Sequence, residues 1–124
     1  MPQLEMADEI QNLLSIFLEK GFSFRYFYEK GGDSSCVYIC RFQKGKDFFD
    51  WREVSGSEEI HIVAMVNGEY RFPTLKSFSP SAYRKYAFKC IFKKPSLEQR
   101  RGFIASLLKT ELEKDSNQFL GIKL

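Results

Sequence analysis

The chain is 124 residues and 14.5 kDa, with 19 basic against 16 acidic residues for a net charge of +3, and 13 of its residues are Phe. That length suits a single domain over 1–124, and 44% apolar with 28% charged residues supplies a real core, which excludes intrinsic disorder for the body of the chain. No run of about 18 apolar residues occurs, so no helix-type membrane span is expected.

Over residues 4–20 the apolar positions Met6, Ile10, Leu13, Leu14 and Phe17 recur at the three-to-four spacing of an amphipathic helix. Lys20 and then Gly21 predict its stop, a cation in the last turn followed by a residue free to take positive φ. The segment lacks the basic start, unbroken apolar stretch and small-residue cleavage site of a secretory signal, so the expected location is cytoplasmic.

The period then changes to two. Phe22, Phe24, Tyr26 and Tyr28 alternate with Ser23, Arg25, Phe27 and Glu29, predicting a strand with one aromatic face. Gly31-Gly32-Asp33 turns into a second strand over 36–43, and Lys44-Gly45-Lys46-Asp47 turns into a third over 48–54. A fourth, 59–66, carries Ile60, Ile62, Ala64 and Val66 on one side. Asn67-Gly68 is a type I′ hairpin signal leading to a fifth strand, which Pro73 ends because it has no amide proton to give a ladder.

Ser79-Pro80 reads as the cap and first residue of a helix with Tyr83, Tyr86, Ala87 and Cys90 on one face, although 88–92 also fits a sixth strand. After Pro95, Ser96 and Gln99 have the spacing of a capping box, opening a helix with the stripe Phe103, Ile104, Leu107, Leu108 and Leu112 that runs to about Lys114. The tail, 115–124, is expected to fray or to dock loosely through Phe119, Leu120 and Ile122. This order defines an α+β domain. An N-terminal helix precedes an antiparallel meander of four to five strands, and one or two C-terminal helices pack with it on one sheet face.

Chemistry-bearing motifs are sparse. Cys36 and Cys40 sit in a strand, where four residues span about 13 Å, too far for two thiolates to share one zinc. With Cys90 they read as small core hydrophobes, and neither a metal nor a cofactor is expected. His61 is the only histidine and lies in an apolar strand beside Glu59. Asp50 and Glu53 flank Trp51 and Arg52, but three residues apart in a strand they face opposite sides and cannot act together; Arg52 is expected to pair with a neighbouring carboxylate. No phosphate-binding, nucleophile-elbow or zinc-protease pattern occurs, so no catalytic residue is assigned.

Two surfaces remain. Several strands are apolar in both registers: Phe27, Val37, Ile39, Val63 and Met65 lie opposite the main core face and should be covered by a helix, a ligand or a second copy. This points to a protein-interaction module, homodimeric or binding another protein. The net charge also splits, with +8 between Arg71 and Arg101 and −5 over the remainder. Within that basic segment Arg84, Lys85, Lys89, Lys93, Lys94, Arg100 and Arg101 accompany Tyr83, Tyr86 and Phe88. Cations that reach phosphates beside rings that stack on bases form the alternative reading, a nucleic-acid-binding domain. The competing structural reading places these rings in the core and pairs the cations with the acidic first helix or Glu58-Glu59.

Overall fold

The structure is a computed structural model and describes residues 2–30, 36–54, 60–73, 81, 84–86, 88, 96–114 and 118–124. Two helices open the chain, α1 (Pro2–Leu13) and α2 (Ser15–Glu19), where periodicity predicted one. They part at Leu14, whose φ of −111° and ψ of 26° leave the helical region. The apolar face runs through the break because Leu14 N still donates to Ile10 O and Phe17 N closes a three-residue turn onto Leu14 O, both at 3.0 Å.

The predicted stop at Gly21 is a Schellman cap. Phe22 N donates to Phe17 O at 3.0 Å and Gly21 N to Leu18 O at 3.1 Å, with Gly21 at φ 96°. The accompanying apolar contact is Phe17 against Phe22, ring centroids 5.5 Å apart and edge-on. One local motif thus ends α2, starts the first strand and seats two core rings.

Five strands follow in a meander: β1 (Ser23–Lys30), β2 (Cys36–Lys44), β3 (Asp47–Val54), β4 (Ile60–Val66) and β5 (Glu69–Arg71). Each pairs antiparallel with the next, in the spatial order β1-β2-β3-β4-β5. Asn67 at φ 53° and Gly68 at φ 81° form the type I′ turn expected of that dipeptide. β5 stops at Arg71, ahead of Pro73.

The C-terminal helix α3 (Leu97–Lys114) begins on the expected capping box. Gln99 N donates to Ser96 Oγ at 3.2 Å, and Ser96 N donates to Gln99 Oε1 at 2.9 Å. Of the two expectations for the tail, docking is what its described residues, 118–124, show. β6 (Gln118–Phe119) and β7 (Ile122–Lys123) form a small hairpin whose Phe119 and Ile122 are fully buried. In the basic segment Ser81, residues 84–86 and Phe88 are helical; the cap at Ser79-Pro80 and most of 88–92 lie outside the described residues.

Both terminal helices cover the same sheet face. The core joins Ile10, Leu14 and Phe17 to Cys40, Phe42, Phe49, Trp51 and Ile62, and to Ile104, Leu108 and Leu112 of α3. Phe17 is its hub, with ring centroids 5.1 Å from Phe49 and 4.7 Å from Phe119, while Phe42 and Phe49 stack at 5.0 Å. Burying each such ring contributes about 2–3 kcal/mol. Phe17, Phe22, Phe42, Phe49 and Phe119 together fill this face.

Candidate functional site

Beneath the helices, β3 carries Glu53 into the edge of this core, where it is 5% exposed. A carboxylate so placed needs partners, since an unpaired buried charge costs several kcal/mol. Arg101 of α3 supplies two hydrogen bonds, Nε to Oε2 at 2.8 Å and Nη2 to Oε1 at 2.7 Å. Trp51 Nε1 donates to Oε2 at 2.8 Å, and Arg101 Nη1 reaches back to Glu9 of α1 at 2.6 Å. The Glu53 hydrogen bonds hold the guanidinium above its ordinary pKa, although burial acts the other way. The cluster locks α1, α3 and β3 together, and each oxygen of Glu53 accepts at least one hydrogen bond. It has the character of a clamp rather than a catalytic site.

Cys40 lies fully buried on the same face. Burial, and then the negative charge of Glu53, push its thiol up to about 12. A thiol with so little thiolate at neutral pH is a poor nucleophile. Among the described residues no cluster of His, Cys, Asp and Glu could hold a metal ion.

Asp50, on the opposite face, is also buried and takes a two-point ion pair from Arg41, Nε to Oδ1 at 2.8 Å and Nη2 to Oδ2 at 2.9 Å. Arg41 in turn lies over two rings, 3.8 Å from the Phe48 centroid and 5.0 Å from that of Phe27. Asp50 and Glu53 therefore point away from one another, as strand geometry requires. Arg52 approaches Glu29 at 3.7 Å, a loose and exposed pair.

The strand register places all five candidate interface residues on this second face. Phe27 is opposite Ile39, Val63 is opposite Asp50, and Met65 is opposite Phe48. Ile39 and Val63 are buried within the single chain, whereas Phe27, Val37 and Met65 are half-buried. Part of the apolar register is thus already covered.

A cleft of about 510 Å³ opens where β4 outruns its neighbour. The β4–β5 ladder joins Ala64 to Arg71, Met65 to Tyr70 and Val66 to Glu69. Among the described residues, 60–63 therefore have a strand partner on the β3 side alone. Val54, Ile60, Ile62, Val63, Phe72 and Ile104 line the cleft with apolar atoms. Arg52 and His61 add polar side chains. Phe72, at 69% exposure, stands at its margin. The sequence signal for this site was the pairing of an apolar strand with a short return strand cut off by Pro73.

The described residues of the basic segment differ in exposure. Arg101 is a correction to the nucleic-acid set: it is largely covered and committed to Glu53 and Glu9, so it is not offered to phosphates. Tyr86 stacks on Phe103 at 4.1 Å with planes 6° apart, leaving it half-buried. Arg84, Lys85 and Phe88 are exposed, and Arg100 is half-buried. Tyr83, Lys89, Lys93 and Lys94 lie outside the described residues. Pairing of this segment with the acidic first helix is realised in Arg101 and Glu9.

The class defined by these features is an α+β domain with an antiparallel meander sheet, two terminal helical segments on one face and an apolar cleft at one edge. Among the described residues no helix is long and apolar enough to cross a membrane. Comparison with protein-family models, curated proteins and solved structures gives no match.

Proposed function

We propose that the protein is a protein-interaction module that takes an extended stretch of another polypeptide along the open half of β4. The observation that carries this reading is the cleft beside residues 60–63, where the described part of β5 has stopped. An edge strand presents main-chain donors and acceptors that an added strand can use, and flanking pockets then select alternate side chains. A cleft of about 510 Å³ is of the size that receives such side chains. Arg52 favours an acidic group at one end of the bound segment.

Selection of phage-displayed random heptapeptides on the purified protein tests the reading. Enriched peptides should alternate apolar residues, protect the outward amides of residues 60–63 from hydrogen exchange, and lose binding on Phe72→Asp. The reading fails if no peptide is enriched or if protection falls elsewhere. It also fails if those amides are already as protected in the free protein as the centre of β2.

Nucleic-acid binding is the second reading, favoured by exposed Phe88 near Arg84 and Lys85 in sequence. Affinity for RNA or DNA should then weaken steeply with salt, by about one log–log slope unit per phosphate contacted. Absence of binding at about 50 mM salt removes it.

A further inference from the structure

β1 forms the outer edge of the sheet opposite to the cleft. Among the described residues its one strand neighbour is β2, along all eight of its residues, so its other edge presents unpaired main-chain groups. Long open edges of this kind are templates for another strand, and proteins that keep them usually pair them or blunt them. Among the described residues β1 has no proline and no bulge in its ladder with β2, and Tyr28 is 59% exposed; its exposed charges, Arg25, Glu29 and Lys30, are of both signs and so repel another strand in some registers but not in all.

We infer that β1 pairs antiparallel with β1 of a second copy of this chain, about a twofold axis centred on Phe27. A twofold perpendicular to the sheet keeps each face on its own side, so the centre must fall on a residue, and only a few registers exist. Centred on Phe27, Arg25 of each copy lies opposite Glu29 of the other, Tyr26 lies opposite Tyr28, and Phe27 meets its own equivalent. Centred on Arg25 or Glu29, like charges meet at the axis. Centred on Tyr26 or Tyr28, neither charge finds an opposite. One register alone is self-complementary, as a twofold interface requires.

The side chains are suitably placed. Arg25 is exposed and leans over Phe27, 5.3 Å from its centroid. Glu29 is exposed, and its 3.7 Å approach to Arg52 leaves it free to face a second cation. The product is two five-stranded sheets joined edge to edge, with the helices of both copies on one side. This interface lies at the edge away from β4, although Glu29 also approaches Arg52, which lines the cleft.

Sedimentation equilibrium on the wild type, R25E, E29R, their equimolar mixture and the double variant tests the register. The wild type should dimerise in the micromolar range, and each single variant should bind itself at least about tenfold more weakly, because like charges now face one another twice. Mixing R25E with E29R should restore a heterodimer, since glutamates of one copy then face arginines of the other. R25E/E29R should dimerise as the wild type does. A monomeric wild type overturns the inference, as does a dimer indifferent to the single changes, or single variants that fail to re-pair on mixing. Circular dichroism checks that each variant is folded. Should one fail to fold, concentration-dependent hydrogen exchange of the β1 amides in the wild type decides, and protection that does not rise with concentration overturns the proposal.

Discussion

Arg101 and Glu53, 48 positions apart in the chain, meet in a two-point ion pair between α3 and β3 that leaves little of either side chain in solvent. The same guanidinium reaches Glu9, 92 positions away, so one side chain gathers the first helix, the third strand and the last helix. A basic residue that seemed to belong to an outward-facing cluster is thereby a fastening of the fold.

Removing one member of this pair should cost more than removing both. Arg101→Met strands the Glu53 carboxylate in a site with Trp51 Nε1 as its remaining donor, and a loss of about 3–5 kcal/mol is expected. Arg101→Met with Glu53→Gln keeps an acceptor for the indole and removes the buried charge, so most of that loss should return. Urea unfolding of the two single variants and the double variant measures the coupling. Equal destabilisation by Arg101→Met and the double change would show that the stranded carboxylate is not the source of the loss.

Much of the fold was legible because its signals are local. The Schellman cap at Gly21, the type I′ turn at Asn67-Gly68 and the capping box at Ser96 each close within a few residues, and all three are present. The apolar stripes were legible for the same reason, with Ile104, Leu107, Leu108 and Leu112 buried along α3. Arg101 was not, because a partner 48 residues away leaves no periodic trace. The break at Leu14 was hidden because it preserves the apolar face that periodicity detects. Of the second sheet face, composition announced that Ile39 and Val63 need cover but not what supplies it.

The capping box gives a direct measure of one local signal. Ser96→Ala leaves the Gln99 amide without its side-chain acceptor and should destabilise the protein by about 1 kcal/mol. Ser96→Asp, which keeps an acceptor and adds negative charge at the helix start, should recover that loss. Thermal or urea unfolding resolves both. Equal stability of all three proteins would mean that α3 is held by its packing alone.

The buried thiol predicts an alkaline limit. Cys40 titrates at about 12 in the folded chain against 9.0 for an unperturbed thiol, so the folded state holds its proton more tightly. Stability from this group is complete below about pH 9 and falls as pH rises towards about 12, by about 1.4 kcal/mol per pH unit across that window. Cys40→Ala should flatten the decline. Thiol-labelling kinetics give a second check at pH 8, where Cys40 should react at the rate of protein opening and half-buried Cys36 should react faster. A Cys40 that labels as fast as a free thiol would contradict the burial.

Tyr26 sets the last test. Its hydroxyl is buried and has no hydrogen-bond partner among the described residues, and burial raises its pKa above the ordinary 10.0. A hydroxyl taken out of water without a new partner costs about 1–3 kcal/mol, whereas the ring that carries it still gains from packing on the core. Tyr26→Phe keeps the ring and deletes the cost, so the variant should be more stable than the wild type by about 1 kcal/mol at neutral pH. The difference should widen at high pH, because the wild-type phenol folds best in its protonated form and loses stability as pH climbs through its unfolded value. Urea midpoints at pH 7 and pH 10.5 on both proteins measure this. A variant less stable than the wild type at pH 7 would reveal a hydrogen bond to this hydroxyl in solution.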